Sequence, residues 1–169
     1  MKKLLLILIC FYSGLLLSQN ALSKRDSNFV RIAADKNLLQ VKLAQLAQTN
    51  TSSGDVKNLS AELLSYHTKA LGELKTLAGK KNIPLNTQLS NRSQKYYDKH
   101  AKKQGGDFDK AYTMCMTRMH HRGHCFLKKE SKKGRDPEIR SWALANYPVL
   151  EQYEEKSKQT CKDLKKNKK

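Results

Sequence analysis

Between residues 52 and 79 apolar side chains return at three- and four-residue steps, at Val56, Leu59, Leu63, Ala70, Leu74 and Leu77. That interval places them on one stripe of a helix. Leu, Ala, Lys, Gln and Glu dominate nearly the whole chain, and no run alternates with the two-residue period of a strand. A first helix is therefore expected from Ser27 to Gln48, ended by the polar run TNTSSG. Ser52 or Ser53 offers a capping hydroxyl for the second, which should reach Gly79. The connection GKKNIPLNTQLS leads to a short polar helix between Ser90 and Lys103, and then to Gly105 and Gly106. Asp107 is the expected cap of a third main helix running to Lys132. Asp136 followed by Pro137 marks the start of the fourth, because proline at the first helical position gives up no needed hydrogen bond. Pro148, inside that helix, predicts a kink near Asn146.

Four main helices of this length make an all-α, four-helix bundle the economical architecture. The second connection is long enough to cross the bundle, whereas the first and last are short. Helices two and three can then run parallel, with a short extra helix in one long crossover, the ferritin-like arrangement.

The amino-terminal run MKKLLLILICFYSGLLLS, with Ala21 and Ser23 at small-residue positions, reads as a signal peptide over residues 1–23. A retained membrane anchor is the alternative. Cys10 follows bulky Leu and Ile, not the small residues of a lipoprotein signal, and should leave with the leader. The bundle domain then spans residues 24–164 and a basic tail 165–169, and the mature chain is expected to be exported, in the periplasm or associated with the outer membrane.

Lys and Arg number 33 against 15 Asp and Glu, a net charge of +18 that includes Lys2 and Lys3. Such an excess attracts anionic surfaces, so anionic envelope components are candidate partners, with a merely solvated surface as the alternative. Aromatic residues are few and not interleaved with a basic stripe, so nucleic acid is not expected. The chain has no Gly-rich phosphate loop, nucleophile elbow or His-Glu-x-x-His, and no Glu-x-x-His of the kind a di-iron bundle requires. No enzymatic activity is expected.

Candidate chemistry concentrates in MCMTRMHHRGHC, Met114 to Cys125. At about 100° per residue, Phe108, Tyr112, Cys115, Met116, Met119, Gly123 and Phe126 share the core face of a helix. His120 is at the edge of that face and His124 just beyond, while Met114, His121 and Cys125 point away. Met116 and Met119 then read as core filling. His120 and His124, one turn apart, can clamp a zinc, copper or nickel ion, with Cys125 or the methionines assisting copper. His67, in the middle of the second helix's apolar stripe, must find a partner, either a tyrosine or backbone group or a metal. Tyr112 is the expected neighbour of His67 or His120. The candidate metal ligands are thus His67, His120 and His124, for copper or zinc, and no other cofactor is implied. Cys115 and Cys161 sit on facing sides of adjacent helices, and a disulfide between them would stabilise the fold by about 3–4 kcal/mol. Cys125 would be left over, with three unpaired thiols as the alternative.

The segments NFVRIAADKNLLQVKLAQLA, AELLSYHTKALGELKTLA, DFDKAYTMCMTRMH and NYPVLEQYEEKS together resemble DUF family 4142, a ferritin-like exported domain of unknown function. The resemblance extends from Ser27 to Lys158 and is carried most clearly by Phe108, Asp109 and Tyr112, by His120 and by Pro148. It implies an envelope-facing four-helix bundle without an established reaction. The family's usual polar set is a glutamate in the first helix, histidines in the second and third, and a histidine five residues after the proline. Here those places hold Gln40, His67, His120 and Tyr153. Two of the four depart from the pattern, which implies that any bundle-centre metal site of relatives is weakened or lost in this chain. The leading functional reading is a non-enzymatic exported bundle acting through a basic surface, and the alternative is periplasmic transition-metal binding.

Overall fold

A computed structural model describes residues 22–166, which form five helices and no strand. The expected leader, apart from its last two residues, and positions 167–169 of the tail lie outside the described residues. The helices are α1 (Lys24–Asn50), α2 (Gly54–Lys80), α3 (Asn91–Ala101), α4 (Gly105–Lys133) and α5 (Pro137–Lys166). None is long and apolar enough to cross a membrane.

Side-chain caps set most of the boundaries. Ser23 Oγ accepts from Asp26 N at 3.0 Å, so α1 starts three residues before the expected Ser27. Ser53 caps α2 through Val56 N, and Asp136 Oδ1 accepts from Glu138 N and Ile139 N at the start of α5. The expected Asp107 cap is corrected. Gly105 takes φ +54°, a backbone conformation that favours glycine, and α4 begins there, leaving Asp107 inside its first turn. α5 stays helical on both sides of Pro148.

Contacts between elements fix their directions. Asp109, near the start of α4, accepts from the hydroxyls of Thr51 and Ser52 in the α1–α2 turn, while His120 meets His67 further along, so α2 and α4 run the same way. Against α5, α2 pairs Glu62 with Lys156, Tyr66 with Asn146, and Lys81 with Asp136, an antiparallel order. The crossover is pinned to α1 by Asp35, whose carboxylate accepts from Ser90 N, Ser90 Oγ and Ser93 Oγ at 2.6–2.9 Å.

The core is divided. One apolar cluster joins Phe29, Val30, Leu74, Leu77, Leu127 and Ile139; the other joins Leu43, Val56, Leu63, Phe108, Tyr112 and Met116. Each fully buried aliphatic side chain among them contributes about 1.5–3 kcal/mol relative to exposure. Along α1, α2 and α4 the two clusters are separated by polar residues, namely Asn37, His67 and His120. The bundle thus has a polar waist.

Candidate functional site

α4 passes from this waist to the surface within one turn. Successive residues rotate by about 100°, so His120 enters the core, His124 lies at its margin, and His121 and Cys125 face solvent. The expected His120–His124 clamp is therefore not what the helix presents. His120 is paired inward with His67, and His124 is grouped outward with His121 and Cys125.

In the outward group Glu154 of α5 is the organising residue. Its carboxylate accepts from His121 Nδ1 at 3.0 Å and from His124 Nδ1 at 3.1 Å, and its own side chain is largely covered. Holding both Nδ1 atoms leaves each Nε2 turned away from the carboxylate, the carboxylate–histidine arrangement that supports metal ligands. Cys125 Sγ lies 3.4 Å from His124 Nε2. One ligand atom from each of His121, His124 and Cys125 falls within 4.8 Å of the others. In a tetrahedral site such atoms stand about 3.3–3.5 Å apart, given metal–nitrogen bonds of about 2.0 Å and metal–sulfur bonds of about 2.3 Å.

In the inward group the rings of His67 and His120 are parallel within 5°, with Nε2 atoms 3.3 Å apart. Asn37 Oδ1 meets His67 Nδ1 at 2.8 Å, and Ser157 Oγ meets His120 Nδ1 at 3.3 Å. Tyr66 packs edge-on to His67, and Tyr153 is tilted over His120 at 5.8 Å. Burial drives both imidazoles toward the neutral form. His120 is pushed down to about 3, and His67 falls well below its ordinary value through burial and then through His120.

The other expected positions sort as follows. Tyr112 does not join the histidines. It stacks on Phe108 at 5.5 Å, its hydroxyl has no partner, and Tyr66 takes the place beside His67. Phe108 and Tyr112 are core, whereas Asp109 ties α4 to the α1–α2 turn. Gln40 is buried with its Oε1 unpartnered, one turn along α1 from Asn37. The expected Cys115–Cys161 disulfide is corrected, since all three described thiols are free. The register places Cys161 level with Cys115, one turn beyond the Ser157–His120 pair. The Cys115 thiol, however, is buried, pushed up to about 11 by that burial, and directed along its own helix to Met119 Sδ at 3.6 Å. Asn37 and Glu154 were not among the expected site residues. Asn37, half-buried, interrupts an apolar face of α1 and was detectable as a polar residue there; Glu154 carried no such signal.

A second surface feature is a groove of about 400 Å³ between α3 and α4, lined by Tyr96, Lys99, Lys103, Lys110, Met114 and Arg118. None of those four cations forms an ion pair among the described residues.

A family model described as a domain of unknown function, DUF4142, matches residues 16–160. The crystal structure of a DUF305 fragment from Deinococcus radiodurans has a similar fold, with a TM-score of 0.74 and 11% identity over 84% of this chain and 98% of that one. CopM in its Cu(I)-bound form is similar at a TM-score of 0.59 and 14% identity over 83% of this chain and 93% of that one. No curated protein matches the chain.

Proposed function

The chain belongs to the DUF4142 family, whose function is unknown, and from that premise we propose that it is a non-enzymatic, exported helical bundle that binds a transition metal at the cell envelope. The observation that carries this reading is the convergence of His121, His124 and Cys125 on one point with Glu154 behind both imidazoles. Two nitrogens and one sulfur suit copper(I) or zinc, and the thiolate supplies charge compensation. A copper-bound protein among the similar folds favours copper. The architecture is read as a ferritin-like four-helix bundle in which α3 occupies the single long crossover.

The test is a Cu(I) titration against a chromogenic chelator, with Zn(II) in parallel, on the mature chain and on a His121→Ala, His124→Ala, Cys125→Ser variant. Loss of one equivalent of bound metal in the variant is the expected result. Undiminished uptake would overturn the assignment of the site.

A second reading is favoured by the cationic groove. Lys99, Lys103, Lys110 and Arg118 are free to meet anionic headgroups of the envelope. Binding to phosphatidylglycerol vesicles should then fall steeply with salt and disappear when these four residues are changed to Glu. Binding that ignores both changes would remove this reading.

A further inference from the structure

The waist poses a proton-counting problem. Asn37 Nδ2 donates to the Ala33 carbonyl at 2.8 Å, which turns Asn37 Oδ1 toward His67 Nδ1. An amide oxygen can only accept, so the hydrogen of His67 is on Nδ1. Ser157 Oγ donates to the Tyr153 carbonyl at 2.7 Å, a partner that can only accept. That short contact uses the single hydroxyl hydrogen, so Ser157 Oγ accepts from His120, whose hydrogen is also on Nδ1. Both rings are then neutral Nδ1–H tautomers. Their two Nε2 lone pairs face each other across 3.3 Å with no hydrogen between them.

Two buried lone pairs aimed at one point call for a cation. The pair already has the supports that metal-binding histidines use, each Nδ1–H held by an outer oxygen. We propose that His67 and His120 form a second metal site, in which one Cu(I) ion is held between the two Nε2 atoms. Besides each other, the rings have hydrogen-bond and aromatic partners in Asn37, Ser157, Tyr66 and Tyr153, and none of these is a carboxylate or thiolate. A divalent ion would bring two uncompensated charges into this environment, whereas Cu(I) brings one and is a soft ion that imidazole accommodates. With metal–imidazole bonds of about 2.0 Å, the nitrogens must stand about 4 Å apart. The rings belong to different helices, α2 and α4, so they can part by under about 1 Å through side-chain rotation. No proton is released and no oxidation occurs, because the ion occupies lone pairs that are already free.

The site shares no residue with the surface group, so it is tested where that group has been removed. Histidine-¹⁵N-labelled protein carrying His121→Ala, His124→Ala and Cys125→Ser is examined by long-range proton–nitrogen NMR, before and after one equivalent of Cu(I) without oxygen. The expected result is two Nδ1–H tautomers before addition and a shift of both Nε2 resonances after it. X-ray absorption should then show two nitrogen neighbours in linear array. Adding His67→Gln should abolish uptake. An Nε2–H on either ring before metal, or Cu(I) addition that leaves both Nε2 resonances in place, would overturn the proposal. Because these readouts use a protein with both waist histidines intact, they decide the matter even if the His67→Gln protein does not fold. If the triple variant retains the full metal content of the natural chain while both Nε2 resonances shift, the surface assignment falls and the waist site stands.

Discussion

His120 and His121 are consecutive in the chain, yet they belong to two different chemistries. His120, fully buried, meets another imidazole and a hydroxyl; His121, exposed, meets a carboxylate. The difference comes from one residue's rotation of a helix. Inside, the neighbours are neutral and the rings are held uncharged by the cost of desolvation. Outside, Glu154 and water make a charged partner inexpensive, and a thiol joins the group. The spacing of histidines along α4 says less about their use than the direction each side chain takes.

Acid should separate the two regions most. The folded-state pKa of both waist histidines lies below the unfolded value, so the unfolded chain takes up protons first. Stability is then full above about pH 6.5 and falls as the pH drops below it, down to about 3 for His120, by about 1.4 kcal/mol per pH unit for a ring that stays neutral in the fold. Urea melts of metal-free protein at several pH values check this; a profile unchanged by His67→Leu and His120→Leu would assign the acid sensitivity elsewhere.

Next in size is stabilisation by metal. Free Cu(I) at a hundred times its Kd should raise stability by about 2.7 kcal/mol. In thermal melts a gain is expected to persist without His121, His124 and Cys125 and to vanish when His67→Leu is added to that triple variant. The reverse pattern would place the stabilising ion at the surface alone.

A smaller effect concerns the sign of the waist contact. A double-mutant cycle on His67→Leu and His120→Leu, without metal, should return a repulsive coupling of about 0.5–2 kcal/mol. An attractive coupling would mean a shared hydrogen between the rings. The smallest stability change is expected for Glu154→Gln, within about 0.5 kcal/mol because glutamine fills the same space and keeps an accepting oxygen toward the imidazoles. The same substitution should still weaken metal binding at the surface group by about 10–100-fold. Chelator competition measures that loss, and equal affinities would remove Glu154 from the site.

Much of the fold was legible because it rests on local signals. The α2 stripe, the Ser53 cap and the Asp136–Pro137 start are all contained within a few residues. The start of α4 was misread because an acidic residue is a common cap, whereas here a glycine with positive φ sets the boundary. The site was legible only in part. His67 stood out as a polar residue on an apolar face, but its partners come from α1 and α4, and Glu154 from a helix thirty or more residues away from the histidines it holds. No local pattern encodes such meetings. The Tyr112 and Cys115 expectations failed for the same reason: the correct face was chosen, but the neighbour across it was another residue.

The polar waist also bears on how often the bundle breathes. A core interrupted at mid-length lacks a continuous apolar column, so each half can open as its own cooperative unit with less than the global free energy. Amide exchange should therefore report two protection levels, one for the half holding Phe29, Leu74 and Ile139 and another for the half holding Leu43, Leu63 and Phe108. Whichever half opens first exposes His67 and His120 from one side, so the residence time of any ion between them is set by that opening rate and not by the strength of two bonds alone.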